Sequence, residues 1–335
     1  MNMFINACTK PGIRAKQIIC LALVVTFLLL CFPIPTQAAR KNAIAREAYL
    51  KALTSGKLVD DWNPWSCTVQ YAFYDIDGDG IDELIGYPGY GAWTYEIFTY
   101  LNGKIKPLVG EGQALETIEI FPATKVLAFV GFGHKGYTLD NYYTVSGGKV
   151  ALLASMVKNT GLLSGEKQED YYIKGKKTTK TEYNKYVNTL KKGTRITHYD
   201  LKWEYSLVTD NNDYSSFNVD RAAKITTLYV AYRALRTGNV YFSLRFYSDY
   251  TTKVQVTLMN SNKKKINISI WDFAYGNTKI PNPFTYLITD YWDATFACKL
   301  EKNKIYYIKI TTTNKKTKYG YNSSFILKNY NYQPY

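Results

Sequence analysis

The feature that most constrains this chain is the stretch Tyr74 to Leu84, which reads Tyr-Asp-Ile-Asp-Gly-Asp-Gly-Ile-Asp-Glu-Leu. In a loop that begins at Asp75, carboxylates stand at positions 1, 3, 5 and 9 and a glycine stands at position 6. This spacing is typical of a calcium loop, because hard oxygen ligands suit a hard cation. The predicted ligands are the side chains of Asp75, Asp77, Asp79 and Glu83 and the backbone carbonyl of Ile81.

The residues on either side of this loop favour strands over helices. Val69, Tyr71 and Phe73 alternate with other residues before it, and the segment after it is short and rich in β-forming residues. An EF-hand carries a bidentate glutamate at position 12, where this chain has Gly86. We therefore expect a strand-loop-strand hairpin, and the alternative is a solvated Asp-Gly turn without a metal.

The segment from Asp75 to Leu84 resembles the calcium loop of FG-GAP repeats, whose pattern D-x-D-G-D-G-x-x-D/E-L it matches. FG-GAP loops normally recur around a β-propeller. The other acidic cluster, Asp210-Asn211-Asn212-Asp213, lacks the glycines, so a full propeller is not expected. The resemblance implies a calcium ion that stabilises the hairpin and takes no part in catalysis.

Residues 1–38 have the pattern of a secretory signal peptide. Its cations are Lys10, Arg14 and Lys16. An apolar run from Ile18 to Phe32 follows, and the small residues Thr36 and Ala38 predict cleavage after Ala38. The alternative is a retained membrane anchor, because the run is almost long enough to span a bilayer. We expect the protein to be secreted or held at the cell surface.

Charge and cysteine content narrow the classes of partner. The formal charge is +15, and loss of the three signal-peptide cations leaves +12. An exported basic protein meets anionic wall polymers, glycans or surface proteins. Nucleic acid is not expected, because the basic residues do not concentrate on one recognition helix.

Cys67 and Cys298 are the cysteines outside the signal segment, and one disulfide between them is left open.

The composition predicts a mostly β fold, because tyrosine occurs 32 times and threonine and asparagine are also plentiful. We expect an N-terminal antiparallel β-meander with a few short helices and the calcium hairpin in residues 39–215. A linker is predicted over 216–237 and a C-terminal β-sandwich over 238–335. Within the linker, 222–235 is compatible with either helix or strand.

Local signals place the first elements. Apolar residues at helical spacing predict a helix from Arg40 to Leu53. Asn102-Gly103 predicts a two-residue hairpin turn. A second helix is expected over Thr181 to Leu190, with Thr179 or Thr181 as its N-cap.

From Gly238 to Tyr330 apolar residues alternate in short segments, as in Val240, Phe242, Leu244 and Phe246. Such segments predict the strands of a sandwich. Their order resembles the bacterial pre-peptidase C-terminal domain. That resemblance implies an accessory binding module of a secreted protein without catalytic residues of its own.

Motifs for catalysis are sparse. The two histidines, His134 and His198, lie in no metal-binding or nucleophile motif. Gly131 to Gly136 fits G-x-G-x-x-G, but turn and strand residues follow it where a dinucleotide site needs a helix. We therefore predict an exported calcium-binding protein that binds wall polymer, glycan or another protein. The alternatives are a secreted polysaccharide hydrolase with a carboxylate pair and a membrane-anchored structural protein.

Overall fold

The computed structural model describes residues 37–58, 68–87, 95–111, 117–131, 137–159, 167–207, 214–219, 227–248, 252–272, 278–288, 292–313 and 323–330. Nearly all of the predicted signal peptide, and its alternative as a membrane anchor, lie outside these residues. The described chain forms 22 strands and two α-helices, which confirms the predicted mostly β fold. The strands belong to three sheets.

The nine-stranded sheet combines strands from the N-terminal and the C-terminal half of the described chain. In spatial order they are β19 (Phe284–Ile288), β16 (Thr252–Asn260), β21 (Ile305–Thr313), β14 (Thr227–Arg233), β12 (Glu204–Leu207), β1 (Thr68–Tyr74), β2 (Glu83–Tyr87), β3 (Tyr95–Leu101) and β4 (Lys104–Glu111). Neighbours are antiparallel except β12 and β14, which are parallel. The segment 216–237, predicted as a linker, contains the end of β13 and all of β14. The domain boundaries stay a prediction.

The other two sheets are antiparallel throughout. The seven-stranded sheet has the order β10 (Lys176–Thr178), β9 (Gln168–Ile173), β8 (Lys149–Asn159), β7 (Tyr137–Ser146), β6 (Val126–Val130), β5 (Thr117–Phe121) and β11 (Ile196–Thr197). The six-stranded sheet has the order β13 (Tyr214–Val219), β22 (Ser323–Tyr330), β15 (Gly238–Ser248), β20 (Trp292–Leu300), β17 (Ile270–Asp272) and β18 (Thr278–Ile280). A single 3₁₀ turn, Pro122–Thr124, joins β5 to β6.

Both predicted helices are present. α1 spans Gln37–Thr54 and buries Ala45, Tyr49, Leu50 and Leu53 along one face. α2 spans Lys180–Leu190 and begins with a capping box, in which Thr179 Oγ1 accepts the backbone N–H of Glu182 at 3.2 Å. Thr179, and not Thr181, is therefore the N-cap. No helix among the described residues is long and apolar enough to cross a membrane.

The nine-stranded sheet is covered on both faces. Where the sheet is built from the later strands β14, β16, β19 and β21, one face packs against the six-stranded sheet. The ring centres of Tyr232 and Phe242, for example, lie 5.1 Å apart. The opposite face carries α1, whose Tyr49 and Leu53 join Tyr71 and Tyr307 in one apolar cluster. Successive side chains along these strands therefore pack into different apolar clusters, because successive residues of a strand point to opposite faces of the sheet.

The N-terminal part of the nine-stranded sheet packs against the seven-stranded sheet. Ala72, Ile85 and Ile97 contact a group of residues from β5 and β6. The outer face of the seven-stranded sheet is covered by α2. This packing places the β1–β2 connection beside both sheets.

Cys298 is a buried free thiol, and burial raises its pKa. Cys67, the cysteine for which a disulfide with Cys298 was left open, lies outside the described residues.

Candidate metal centre

The acidic stretch forms the loop that joins β1 to β2. The two strands pair in antiparallel register, with Tyr74 opposite Glu83 at the base of the loop. The strand-loop-strand arrangement expected from the flanking residues is therefore present. Gly78 and Gly80 have φ angles of +73° and +84°, which other residues rarely adopt without strain.

Asp75 organises the first half of this loop through the backbone. Its Oδ1 accepts the N–H groups of Gly78 at 2.7 Å and Asp79 at 3.2 Å, and its Oδ2 accepts that of Gly80 at 2.9 Å. The residue after it, Ile76, is fully buried in the core between the two sheets. The loop is thus held in a defined conformation by hydrogen bonds and by one apolar anchor.

Glu83, at the start of β2, and Asp77, within the loop, are buried, with only 2% and 3% of their surfaces exposed. The Glu83 carboxylate accepts the N–H of Ile76 at 2.9 Å and the hydroxyl of Thr99, on β3, at 3.2 Å. Asp77 Oδ2 accepts the N–H of Gly147 at 2.9 Å. Gly147 lies in the β7–β8 turn of the seven-stranded sheet, so Asp77 connects the loop to the neighbouring sheet.

Three carboxylates converge at this point. Asp75, Asp77 and Glu83 each offer an oxygen, and these oxygens lie within 4.8 Å of one another. The predicted ligand Asp79 is exposed and is not part of this group, and its Oδ1 accepts the N–H of Ile81 at 2.8 Å. The structure therefore brings together three of the four predicted carboxylates, and the Ile81 carbonyl stays a predicted ligand.

The burial and mutual repulsion of these carboxylates favour a bound positive charge. Burial, reinforced by the nearby Asp77 carboxylate and opposed by the hydrogen bonds from Ile76 and Thr99, raises the pKa of Glu83 to about 8. Burial, Asp77 and Asp75 also raise the pKa of Asp79. Buried carboxylates at this spacing must bind either protons or a cation at neutral pH. An all-oxygen donor set in a glycine-containing loop fits calcium.

The loop is also held from outside by residues that sequence reasoning missed. Asp82 Oδ2 accepts hydrogen bonds from Asn42 Nδ2 at 2.7 Å and from Arg46 Nε, both on α1. The Asp82 N–H in turn donates to Asn42 Oδ1 at 3.0 Å. Asp82 thus faces the helix and not the other carboxylates. Asn42, Thr99 and Gly147 stand 16 to 70 residues from their loop partners, so no local pattern identifies them.

The remaining sequence candidates do not form a second site among the described residues. His198 packs its ring 4.7 Å from that of Trp203, and its Nδ1 lies 2.9 Å from the Tyr95 hydroxyl. Burial lowers its pKa, so it is a neutral packing residue at pH 7. His134 and the Asp210–Asp213 cluster lie outside the described residues. Of the G-x-G-x-x-G stretch only Gly131 is described, and the strand β7 follows it.

Comparisons with known proteins add no assignment. No protein-family model matches the chain, and a search of curated proteins finds no match. A glycoside hydrolase family 43 arabinoxylan arabinofuranohydrolase from Bacillus subtilis is 11% identical, with a TM-score of 0.21, over 77% of this chain and 66% of that one. An insecticidal delta-endotoxin from Bacillus thuringiensis is 8% identical, with a TM-score of 0.19, over 78% of this chain and 51% of that one. The chain spans less than two thirds of either protein, and such TM-scores carry no argument about fold or function.

Proposed function

We propose that this protein binds calcium through Asp75, Asp77 and Glu83, and that the ion stabilises the junction of the nine-stranded and seven-stranded sheets. One observation carries the proposal: three carboxylates converge within 4.8 Å while two of them are almost completely buried. The Ile81 carbonyl and Asp79 are the further ligands suggested by the spacing of the loop. The ion has a structural role, because the loop contacts backbone and core residues of both sheets.

The wider role proposed is that of an exported protein of the cell surface or its surroundings, acting as a binding module for wall polymer, glycan or another protein. The formal charge of +12 outside the predicted signal segment supports an anionic partner. In this proposal the six-stranded sheet and its partner strands form the predicted β-sandwich. The N-terminal strands form the predicted meander that carries the calcium hairpin.

A secreted hydrolase would need two carboxylates that face a cleft away from the loop. Asp140 and Glu119 are one pair of acidic residues on the seven-stranded sheet, and Glu119 adds slightly to the burial that raises the pKa of Asp140. Glu119 is engaged by Arg195 at 3.0 Å and by Lys191 at 3.9 Å, while Asp140 accepts the N–H of Gly131 at 2.9 Å. These contacts favour a structural role for the pair.

Calorimetric titration of chelator-treated protein with calcium, and separately with magnesium, tests the metal site. We expect calcium binding that Asp77→Asn abolishes, because this change removes a buried charge yet keeps an oxygen for the Gly147 N–H. Glu169→Gln, an exposed change elsewhere, is the matched control and should bind like the unaltered protein. Equal binding by the two variants would overturn the ligand assignment.

A further inference from the structure

A cavity of about 590 Å³ lies where the C-terminal end of α1 meets the nine-stranded sheet. Its polar lining consists of Lys51, Ser55 and Lys57 from the helix side and Arg233 and Asn303 from the sheet side. None of the described residues that line it is acidic. Its volume is within the range of small-ligand sites, and three cations face it without a lining counter-charge.

Arg233 lies at the end of β14, on the strand face that packs against α1. Ala231, two residues earlier, belongs to the apolar cluster beneath the helix. The Nε atom of Arg233 is buried and has no hydrogen-bond partner among the described residues. A buried guanidinium N–H without an acceptor is costly, and a phosphate or carboxylate oxygen is the acceptor that a guanidinium binds best.

The walls of the cavity are fixed by backbone hydrogen bonds. On the sheet side, Ala234 N–H donates to the Lys304 carbonyl at 3.1 Å, and Asn303 N–H donates to the Ala234 carbonyl at 2.7 Å. On the helix side, Lys57 N–H donates to the Ala52 carbonyl at 3.1 Å. The last helical carbonyls would repel an anion, and this bond satisfies one of them. The backbone that carries the lining cations is therefore held in place on both sides of the cavity.

The ion pairs near the cavity leave its charge largely available. Lys51 lies 3.0 Å from Glu47, but both side chains are more than half exposed, at 57% and 60%. Such exposed pairs contribute little stability and break readily for a better partner. Glu301, the acid of the neighbouring turn, lies 2.7 Å from Lys304. An anion entering the cavity would thus meet Lys51, Lys57 and Arg233 together.

We propose that this cavity binds an oxyanion, a phosphate or carboxylate group, of an anionic extracellular polymer. The proposal rests on the binding function above and names its site. Arg233 donates to the anion from the floor, and Lys51 and Lys57 provide charge at the rim. Calcium binding and anion binding occupy different parts of the molecule, so each can fail independently.

The test measures binding of purified, calcium-loaded protein to inorganic phosphate, poly(glycerol phosphate) and a hyaluronate oligosaccharide. We expect salt-dependent binding to one polymer, weakened about tenfold or more by Arg233→Gln and by the pair Lys51→Gln with Lys57→Gln. The pair Lys149→Gln with Lys176→Gln, both exposed on the seven-stranded sheet, makes the same charge change elsewhere. It should change affinity less than twofold.

The polymer that binds identifies the anionic group as phosphate or carboxylate. Equal losses in the two lysine pairs would show that bulk charge binds the polymer and would overturn the cavity as the site, leaving the wider binding function intact. Absence of binding to all three probes would overturn the proposal as well. Calcium affinity and melting temperature are measured for every variant, which shows whether Arg233→Gln folds normally. If Arg233→Gln is destabilised, the variant with Lys51→Gln and Lys57→Gln tests the cavity independently.

Discussion

At the scale of single residues, His198 shows how burial converts a titratable side chain into a packing residue. Its ring lies among Tyr87, Tyr95 and Trp203, with ring-centre distances of 4.7 to 6.0 Å. Burial lowers its pKa below the ordinary value of 6.5. The unfolded chain therefore takes up a proton near pH 6.5 that the folded protein does not bind until lower pH.

From this follows a pH dependence. The contribution of His198 to the free energy of unfolding should be complete above pH 6.5 and should shrink as the pH falls below it. Denaturant titrations of the protein and of His198→Gln between pH 5 and 7.5 measure the difference in stability. A difference that stays constant over this range, or grows toward pH 5, would contradict the assignment.

Two adjacent glycines of the β7–β8 turn provide a matched pair. Gly147 and Gly148 have φ angles of +56° and +72°, so alanine at either position costs on the order of 1 kcal/mol in backbone strain. A Cβ at Gly147 would meet open space, whereas one at Gly148 would lie 3.0 Å from Leu101 Cδ2 and 3.4 Å from Thr99 Cγ2. Thr99 donates to Glu83, so crowding there displaces a support of the carboxylate cluster.

We therefore expect Gly147→Ala to lower stability alone and Gly148→Ala to lower both stability and calcium affinity. Thermal melting and calcium titration of the two variants separate the effects. If both variants lost calcium affinity to the same extent, displacement of Thr99 could not be the cause of the loss.

At the scale of elements, the capping box of α2 is a local device with a local test. Thr179 and Glu182 exchange hydrogen bonds between side chain and backbone at the helix start. Thr179→Ala should cost about 1 kcal/mol of unfolding free energy. Thr181→Ala, in the first turn, is the control and should cost little, since alanine favours a helix. The assignment would be wrong if Thr181→Ala destabilised the protein more.

The elements that sequence identifies are those that local chemistry determines. Asn102 and Gly103 have φ angles of +52° and +76°, as a two-residue hairpin turn requires. The glycines of the acidic loop adopt the positive φ angles that their positions call for. Segment 222–235 is ambiguous from sequence because its apolar residues suit either period, and within it β14 (Thr227–Arg233) pairs with β12 and β21.

For the molecule as a whole, sequence patterns could not predict the nine-stranded sheet, which joins strands from the two halves of the described chain. β1 lies between β2 and β12, and β12 pairs in parallel with β14, which in turn pairs with β21. These pairings join residues far apart in the chain, and alternation along a strand does not specify its neighbour. For the same reason sequence patterns could not predict the hydrogen bond between Asp77 and Gly147, which lie 70 residues apart. This bond connects the proposed metal site to the seven-stranded sheet.

The melting temperature of the protein, in chelator and then in millimolar calcium or magnesium, tests whether a calcium ion stabilises the junction of the two sheets. A ligand that binds only the folded state at 100 times its Kd adds about 2.7 kcal/mol of stability. We expect a rise in melting temperature that calcium produces and magnesium does not, and that Asp77→Asn abolishes. No rise with calcium, or an equal rise in Asp77→Asn, would contradict a calcium ion between the two sheets.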